Sequence, residues 1–206
     1  EPELRCKGVL DEQEKAPRIV VTDPSGKQLF EKRRSCDETT DHGLLADIFS
    51  WVDDYLEADP LVAVGHRVVH GGRDFSSPIA LDERTITALD ALTPLAPLHQ
   101  PRCLAPVRAV QSLRPGLAQI ACFDTAFHHG LTPPASRFAI PRSLEERGIR
   151  RYGFHGLSFE YVADRLTTLA PTQTRMVIAH LGNGASLCRS EEHTSEPPVT
   201  SLSRMP

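Results

Sequence analysis

Hydrophobic and polar positions follow two different periods along the first half of the chain. Residues 18–32 carry two apolar runs around the sequence DPSG, which predicts a strand, a tight turn and a returning strand. Residues 41–58 change to helical spacing, and residues 82–92 predict a short helix capped by Asp82. The apolar stripe of the longer helix, which starts at Asp41 or His42, consists of Leu44, Leu45, Ile48, Phe49, Val52 and Leu56.

Two more helices are predicted in the second half of the sequence. One is expected from about Pro106 to Leu113, because proline is well tolerated in the first turn of a helix. The other follows Ser158, whose hydroxyl is a suitable N-cap. The apolar face of this last helix is formed by Phe159, Val162, Leu166 and Leu169.

Three mostly apolar runs, at 61–72, 119–128 and 176–187, predict buried strands. Helices alternate with the first two runs, which predicts an α/β sheet. Because ligands of open α/β sheets bind at the carboxyl ends of the strands, we expect one site assembled from several segments. The polar residues at these ends are Arg67 and His70, Asp124 and Thr125, and His180 and Asn183.

Composition and charge exclude several classes of partner. The 206 residues carry a net charge of −4 without a basic run, so nucleic acid and anionic membranes are not expected as partners. No apolar stretch reaches the roughly 18 residues of a membrane span, and the start does not read as a signal peptide. Five cysteines without CxxC spacing indicate reduced thiols and a cytoplasmic protein.

The histidines of the sequence GHRVVHGG raise two possibilities. His66 and His70 are four residues apart, but a helical zinc motif needs a glutamate after the first histidine, and that position is Arg67. On a strand the two imidazoles would also lie about 13 Å apart, so a zinc site is disfavoured. Arg67 is better interpreted as an anion-binding guanidinium, with a surface salt bridge as the alternative.

Three further segments carry candidate chemistry. Asp124 follows an apolar strand, where a carboxylate either orients a cationic partner, nucleophile or metal, or caps a turn. The glycine-rich sequence HLGNGAS at 180–186 lets backbone N–H groups approach a phosphate, although such turns also close ordinary hairpins. His155, between Gly153 and Gly156, is either a donor to an anion or a structural helix cap. Together these groups are what phosphoryl transfer requires.

Five motifs occur in order between residues 61 and 187: VGHRVVHGG, LAPLHQP, FDTAFH, RYGFHGLS and HLGNGAS. At these separations they resemble the acetate kinase (acetokinase) family of the sugar kinase, Hsp70 and actin superfamily. The resemblance implies an α/β, ribonuclease H-like or actin-like ATPase fold with a mixed sheet and flanking helices. It also implies reversible transfer of the ATP γ-phosphoryl group to acetate, with Mg²⁺, in a cytoplasmic homodimer.

The resemblance assigns roles to the matching positions of this sequence. Arg67 would bind the carboxylate or the phosphoryl group, Asp124 would be the active-site aspartate, and His155 would stabilise the transition state of a direct in-line transfer. The implied pocket for the acetate methyl group consists of Val69, Leu98 and Phe154, with His99 beside it, and the valine favours acetate over propionate. The implied phosphate-binding turn for ATP consists of His180, Leu181, Gly182, Asn183 and Gly184. No metal ligand is assigned.

The same resemblance predicts domain boundaries. Residues 1–127 would be most of the first domain, without the first strand and phosphate loop of the family, and residues 128–188 would begin a second, nucleotide-binding domain. Residues 189–206 are rich in Ser, Thr, Pro and Glu, so we expect a disordered tail that is not native to the protein. The chain, which begins at Glu1, is thus expected to be an incomplete two-domain kinase that is inactive alone.

Other functions stay open at this point. A propionate or butyrate kinase of the same family would use the same motifs. A non-catalytic binding module would retain the motifs for structural reasons. A metal hydrolase is a more distant alternative.

Overall fold

The computed structural model describes residues 3–11, 17–34, 41–191 and 194–202. The chain divides into two units, of which the first comprises residues 1–61 and 109–115 and the second comprises residues 62–108 and 116–206. The described residues of the first unit hold one sheet and one buried apolar cluster, and those of the second unit hold two sheets and two clusters.

The described residues of the first unit form a three-stranded antiparallel sheet, one complete helix and residues 109–113 of a helix that begins in the second unit. Ile19 and Val21 of the central strand and Leu44 of the helix form its buried cluster. Asp23 shapes the second turn of the sheet, because its Oδ1 accepts the N–H groups of Ser25 at 2.9 Å and Lys27 at 3.0 Å. The predicted strand, turn, strand and helix are confirmed. The elements are β1 (Lys7–Asp11), β2 (Arg18–Thr22), β3 (Gln28–Arg33) and α1 (Asp41–Leu56).

The second unit begins with a mixed sheet in the order β4-β6-β5. Strands β4 and β6 are parallel, and their register pairs Arg67 with Cys122 and Val68 with Phe123. The carboxyl ends of both strands therefore meet at one edge, and the short β5 is antiparallel to β6. The elements are β4 (Ala63–Val68), β5 (Ile79–Ala80), α2 (Glu83–Asp90), α3 (Gln100–Leu113) and β6 (Ala118–Phe123).

The helix ends in this region agree with the prediction for α2 and differ for α3. Asp82 caps α2, because its Oδ1 accepts the N–H of Thr85 at 2.7 Å. Helix α3 begins at Gln100 instead of Pro106, which lies inside the helix. The prediction was wrong because the proline that occupies the first turn, where no N–H donor is needed, is Pro101.

The remainder of the second unit is an antiparallel sheet in the order β7-β8-β9 with helix α5 packed against it. Phe159 and Ala163 of α5 are buried with Ile178 and Cys188 of the sheet. Helix α5 begins two residues before Ser158, so Ser158 is not its N-cap as predicted. The elements are α4 (Arg142–Glu146), α5 (Gly156–Leu169), β7 (Arg175–Leu181), β8 (Ala185–Glu191) and β9 (Thr194–Leu202).

The boundary expected between residues 127 and 128 lies inside this second unit. The chain leaves β6 through a 3₁₀ turn at Ala126–His128. The rings of Phe127 and His128 lie 6.4 and 5.6 Å from the ring of Phe159. Aromatic packing therefore joins the end of β6 to α5 across the expected boundary.

The three apolar runs form strands, but their residues alternate between buried and exposed positions. In β7, Ile178 is buried whereas Val177 is 71% exposed, and in β6 Ala121 is buried whereas Ile120 is 37% exposed. The prediction of fully buried strands is therefore wrong for the described part of the chain. Each strand packs one face on its cluster and leaves the other face exposed.

Residues 189–191 and 194–202, which belong to the segment expected to be a disordered tail, lie in strands. Arg189 to Glu191 belong to β8, and Thr194–Leu202 pair with β8 as the antiparallel strand β9. The second edge of β8 offers backbone N–H and C=O groups, and a following segment satisfies them by pairing. Residues 192, 193 and 203–206 lie outside the described residues.

Two further properties concern the described residues only. None of their helices combines the length and the hydropathy that a membrane crossing requires. Cys6, Cys103, Cys122 and Cys188 form no disulfide among the described residues, and Cys36 lies outside the described part of the chain.

A substitution at Leu104 of α3 tests the buried apolar cluster that this helix forms with strands β4 and β6. The side chain of Leu104 is fully buried with Val68, Leu89 and Phe123, so Leu104→Ala removes apolar contacts and leaves a cavity. We expect the free energy of unfolding to fall by about 2–5 kcal/mol, measured by urea denaturation. Leu169→Ala, at an exposed position of α5, is the control and should change it by less than about 0.5 kcal/mol. Equal losses in both variants would contradict this packing.

Asp47 of α1 tests the pH dependence of the first unit. Hydrogen bonds from Arg34 at 2.6 Å and, secondarily, from Lys32 at 2.7 Å lower the pKa of Asp47 from 3.8 to about 2 against the opposing effect of burial. A carboxylate with a lower pKa in the folded state stabilises that state above its unfolded pKa, and the contribution is lost as the pH falls through the folded pKa.

Asp47→Asn should therefore lower the free energy of unfolding at about pH 6, and its difference from wild type should shrink between about pH 4 and pH 2. Urea denaturation over this pH range measures the difference. Asp54→Asn, at an exposed position of the same helix, is expected to show no such trend. A pH-independent effect of Asp47→Asn would contradict the ion-pair explanation.

Candidate active site

An ion pair between Arg67 and Asp124 joins the ends of the two parallel strands. Nε of Arg67 donates to both carboxylate oxygens at 3.0 and 3.1 Å, and Nη2 donates to Oδ2 at 2.6 Å. The Asp124 side chain is only 2% exposed, whereas that of Arg67 is 61% exposed. The hydrogen bond to Asp124 raises the pKa of Arg67. The pair thus holds a permanently charged guanidinium in a fixed orientation with one side exposed.

The turn after β4 is held by a buried glutamine. Oε1 of Gln100 accepts the N–H of His70 at 3.2 Å, and Nε2 donates to the carbonyl oxygens of His70 at 3.1 Å and Leu89 at 3.0 Å. The N–H of Gly71 donates to Oγ1 of Thr125 at 3.0 Å. These bonds fix the backbone directly after Val69, which lies between Arg67 and the turn.

Helix α5 begins directly at the Asp124 backbone. The N–H of Gly156 donates to the carbonyl oxygen of Asp124 at 2.8 Å, and a Cβ on Gly156 would lie 2.3 Å from that oxygen. Only glycine permits this approach. The preceding residue, His155, is the N-cap and has a φ of 60°, a left-handed conformation that costs a non-glycine residue roughly 1–2 kcal/mol.

The imidazole of His155 belongs to a group of four polar side chains. Its Nδ1 lies 2.8 Å from Oγ of Ser186, and Nδ1 of His180 lies 3.0 Å from Oγ of Ser158. The two rings stack with centroids 4.1 Å apart and planes 16° apart. Burial and then the neighbouring His180 lower the pKa of His155, Asp124 raises it, and Arg67 lowers it.

The glycine-rich turn between β7 and β8 lies against these rings. The turn is tight, because the N–H of Gly182 donates to the carbonyl oxygen of Gly184 at 3.0 Å. A Cβ on Gly184 would lie 3.1 Å from Cε1 and 3.2 Å from Nε2 of His155. Asn183 and Leu181 are exposed, so Leu181 offers the predicted site only its backbone. The turn predicted to bind phosphate and the predicted catalytic histidine are therefore neighbours.

The residues of the predicted acyl pocket are less closely joined. Val69 and Phe154 are half-buried, and the ring of Phe154 meets His70 edge-on at 5.7 Å. Leu98 and His99 are exposed on the turn that precedes Gln100, and their part in the site stays a prediction. Cys103 of α3 lies beside Val69, whose backbone N–H lowers the pKa of the thiol while burial, the larger effect, raises it.

His66 and His70 have structural partners. Nε2 of His66 donates to Oε1 of Gln119 at 2.8 Å, and Nδ1 of His70 accepts the N–H of Gly72 at 2.9 Å. Burial lowers the pKa of both histidines. Within the described ranges, no group of three or more His, Cys, Asp or Glu side chains is arranged to hold a metal ion. The described residues thus give the zinc alternative no support.

Sequence reasoning missed four residues that hold the site together. Ser158 and Ser186 bind the two imidazoles, and Gln100 holds the turn after β4. Buried His128 donates from Nε2 to the carbonyl oxygen of Phe154 at 3.2 Å. All four lie within the motifs LAPLHQP, FDTAFH, RYGFHGLS and HLGNGAS, but their spacing along the chain does not indicate which side chains or backbone groups they contact.

Proteins similar to this chain include acetate and propionate kinases. The sequence matches the Acetokinase family over residues 3–195. An acetate kinase of Rhodopseudomonas palustris (strain TIE-1) is 44% identical over 189 residues, which cover 90% of this chain and 47% of that protein. The crystal structure of Porphyromonas gingivalis acetate kinase covers 93% of this chain and 50% of that chain, with a TM-score of 0.78 and 31% identity. A propionate kinase from Francisella tularensis subsp. tularensis SCHU S4 has a TM-score of 0.82 at 28% identity, with coverages of 93% and 49%.

These similarities bear on the fold and the family. The chain spans about half the length of the curated relatives it matches. The likeness to the two solved kinases confirms the predicted α/β, actin-like ATPase fold with a mixed sheet. Because the family match extends over nearly the whole sequence, the chain belongs to the acetokinase family.

Proposed function

We propose that this chain carries the carboxylate-binding and phosphoryl-transfer residues of an acetate kinase. The reaction is reversible transfer of the ATP γ-phosphoryl group to acetate, giving acetyl phosphate and ADP. The observation that carries the proposal is the convergence of Arg67, Asp124 and His155, whose ring lies against Gly184 of the glycine-rich turn. An anion bound there would meet a fixed guanidinium and neutral hydrogen-bond donors, which phosphoryl transfer requires.

Arg67 is the binding group for the carboxylate or the transferred phosphoryl group. Its Nε and Nη2 hold Asp124, and the other N–H groups of the guanidinium extend from the exposed side. A planar guanidinium matches two oxygens of a carboxylate or phosphate at once. Because the buried carboxylate of Asp124 fixes this plane, the guanidinium is oriented before the substrate arrives.

The surroundings of Asp124 favour direct transfer over a phosphoenzyme. Its carboxylate is buried and accepts three hydrogen bonds from Arg67. A carboxylate so paired is a poor nucleophile, because attack would remove its negative charge and break the pair. We therefore assign Asp124 the role of orienting Arg67, and the acetate oxygen attacks the γ-phosphoryl group in line.

His155 acts as a neutral donor to the transferring group. Burial and the nearby His180 lower the pKa of His155 below its ordinary value of 6.5, so the ring is mostly neutral at physiological pH. A neutral imidazole donates a hydrogen bond to a phosphoryl oxygen without repelling Arg67. The donor strengthens as negative charge grows on that oxygen in the transition state.

ATP and its divalent metal are substrates of the proposed reaction. The backbone of residues 180–184 is the proposed cradle for the ATP phosphates. The described part of the chain contains no cluster of side chains arranged to bind the expected Mg²⁺, and the carboxylate of Asp124 is already paired with Arg67. Mg²⁺ is often bound mainly through substrate phosphates, so we derive no step through a protein-bound metal.

The proposal also includes a preference for the length of the carboxylate substrate. Val69 narrows the proposed pocket and favours acetate over longer carboxylates. A propionate kinase is the second candidate, because a solved propionate kinase is also similar to this chain.

The cellular location, the oligomeric state and the domain boundary of the protein are proposed on the basis of the resemblance. The full-length protein is a cytoplasmic homodimer, and the reduced state of the described cysteines is compatible with the cytoplasm. Its first domain ends near residue 127 and its nucleotide-binding domain follows. Light scattering during size-exclusion chromatography tests the dimer.

The central experiment uses the longest reading frame that contains this chain. A coupled assay should detect ADP release that depends on both acetate and ATP, and hydroxylamine should trap the acetyl phosphate product. ATP turnover without acetate dependence would contradict the proposal. The same assay on residues 1–206 tests the expectation that this chain is inactive alone.

Arg67→Ala and Arg67→Lys separate charge from geometry in the longer protein. Arg67→Ala should lower kcat/KM by about 10²–10³-fold, and Arg67→Lys should recover only part of the loss because lysine lacks the planar fork. Coupled ADP release measures both. Arg165→Ala, at an exposed position of α5, is the control and should stay within about twofold of wild type. Normal turnover of Arg67→Ala would instead support a non-catalytic module.

Val69→Ala tests the acyl pocket. The smaller side chain leaves room for the extra methylene of propionate, whose burial is worth about 0.8 kcal/mol. The ratio of kcat/KM for propionate to that for acetate should therefore rise about fourfold. Leu187→Ala, at an exposed position of β8, should leave the ratio unchanged. An unchanged ratio in Val69→Ala would remove Val69 from the pocket.

A further inference from the structure

Two crossed hydrogen bonds join the first turn of α5 to the β7–β8 hairpin. His155 and Ser158 lie at the start of the helix, and His180 and Ser186 lie directly opposite each other in the two strands. The helix histidine contacts the strand serine at 2.8 Å, and the helix serine contacts the strand histidine at 3.0 Å. Both contacts use Nδ1 of the ring. The crossed arrangement accounts for the parallel stacking of the two imidazoles.

The other nitrogen of each ring faces the glycine-rich turn. A Cβ on Gly184 would lie 3.2 Å from Nε2 of His155, and a Cβ on Gly182 would lie 3.2 Å from Nε2 of His180. Both Nε2 atoms therefore lie next to the backbone that we propose as the phosphate cradle. Whether they attract or repel an anion depends on which ring nitrogen carries the proton.

The serines decide that question, because a hydroxyl can either donate to Nδ1 or accept from it. If the hydroxyl accepts, Nδ1 carries the proton and Nε2 presents a lone pair that repels an anion. If the hydroxyl donates, Nε2 carries the proton and becomes a donor. Ser186 is only 3% exposed, so its own hydroxyl proton needs an acceptor within the protein. Nδ1 of His155, 2.8 Å away, is such an acceptor.

Charge arguments favour two neutral rings. Two imidazolium ions stacked at 4.1 Å would repel each other strongly in a partly buried site. The groups that act on His155 are His180 and Arg67, which oppose its protonation, and Asp124, which favours it. Asp124 is already neutralised by Arg67.

We propose that Ser158 and Ser186 are positioning residues that donate to Nδ1 of His180 and His155, so that both neutral imidazoles present an Nε2–H to one phosphoryl group at the turn of residues 182–184. The identity of the anion rests on the proposed function. The tautomers do not, because they can be measured without any substrate.

The test is ¹⁵N NMR of histidine-labelled protein, made from the longest reading frame that contains this chain. Long-range ¹H–¹⁵N correlations distinguish the two tautomers and the imidazolium, and His155→Gln and His180→Gln assign the signals. At about pH 7.5, wild type should show His155 and His180 with the proton on Nε2 and a lone pair on Nδ1. Imidazolium or a neutral ring protonated at Nδ1, on either histidine of the wild type, would overturn the proposal without the use of any serine variant.

Serine variants test the cause of the tautomer. Ser186→Ala should shift His155 toward a mixture of tautomers and leave His180 unchanged, and Ser158→Ala should do the reverse. Each should lower kcat about tenfold, the value of one hydrogen bond to a charged group, with little change in KM for acetate. Ser186→Thr keeps the hydroxyl and suits a strand, so it should restore both readouts. Ser50→Ala, at an exposed position of α1, is the matched control.

The outcomes separate this inference from the proposed function. Unchanged ¹⁵N shifts and unchanged kcat in Ser186→Ala would overturn the role of the serine even if the protein is an acetate kinase. The expected tautomers in a protein without acetate-dependent turnover would support the role of the serines and contradict the proposed function.

Discussion

The buried residue Asp124 is the junction on which the rest of the site depends. Its carboxylate holds Arg67, its N–H donates to the carbonyl oxygen of Val68 at 3.0 Å, and its carbonyl oxygen accepts the N–H of Gly156 at 2.8 Å. One residue therefore connects β4, β6 and α5. A buried carboxylate without a partner costs several kcal/mol, so the charge of Arg67 stabilises the protein as well as offering a binding group. The exposed guanidinium is thus both anchored and required.

The histidines add donors to this junction without adding charge. His155 adopts a left-handed backbone conformation, which is strained for a side chain of its size and which the surrounding bonds must maintain. The bond from Gly156 to Asp124 and the bonds from Ser158 and Phe159 N–H to the His155 carbonyl oxygen do so. The ring then stacks on His180 and contacts Ser186. The strained backbone conformation of His155 thus places its ring where these contacts fix its orientation.

Local sequence patterns predicted which segments form helices and strands better than they predicted where those segments begin. The helical stripe over 41–58 and the cap at Asp82 agree with the structure, because spacing and capping act within a few residues. The start of α3 and the cap of α5 were predicted wrongly. Pro106 and Ser158 are each acceptable at a helix start, but α3 begins with Pro101 in its first turn, and α5 begins where the N–H of Gly156 bonds to the distant carbonyl oxygen of Asp124. Apolar composition also could not reveal that the strands keep one face exposed, since that depends on what packs against them.

The sequence by itself determined the α/β class, most elements, the acetokinase resemblance and the identity of Arg67, Asp124, His155 and the turn at 180–184 as candidates. These follow from the order and spacing of residues along the chain. Only the tertiary structure decided that Ser186 and Ser158 hold the two imidazoles, that Gln100 holds the turn beside Val69, and that Asp124 is neutralised by Arg67. Such partners are separated by up to 57 residues, and no local pattern encodes a hydrogen bond between segments that only folding brings together.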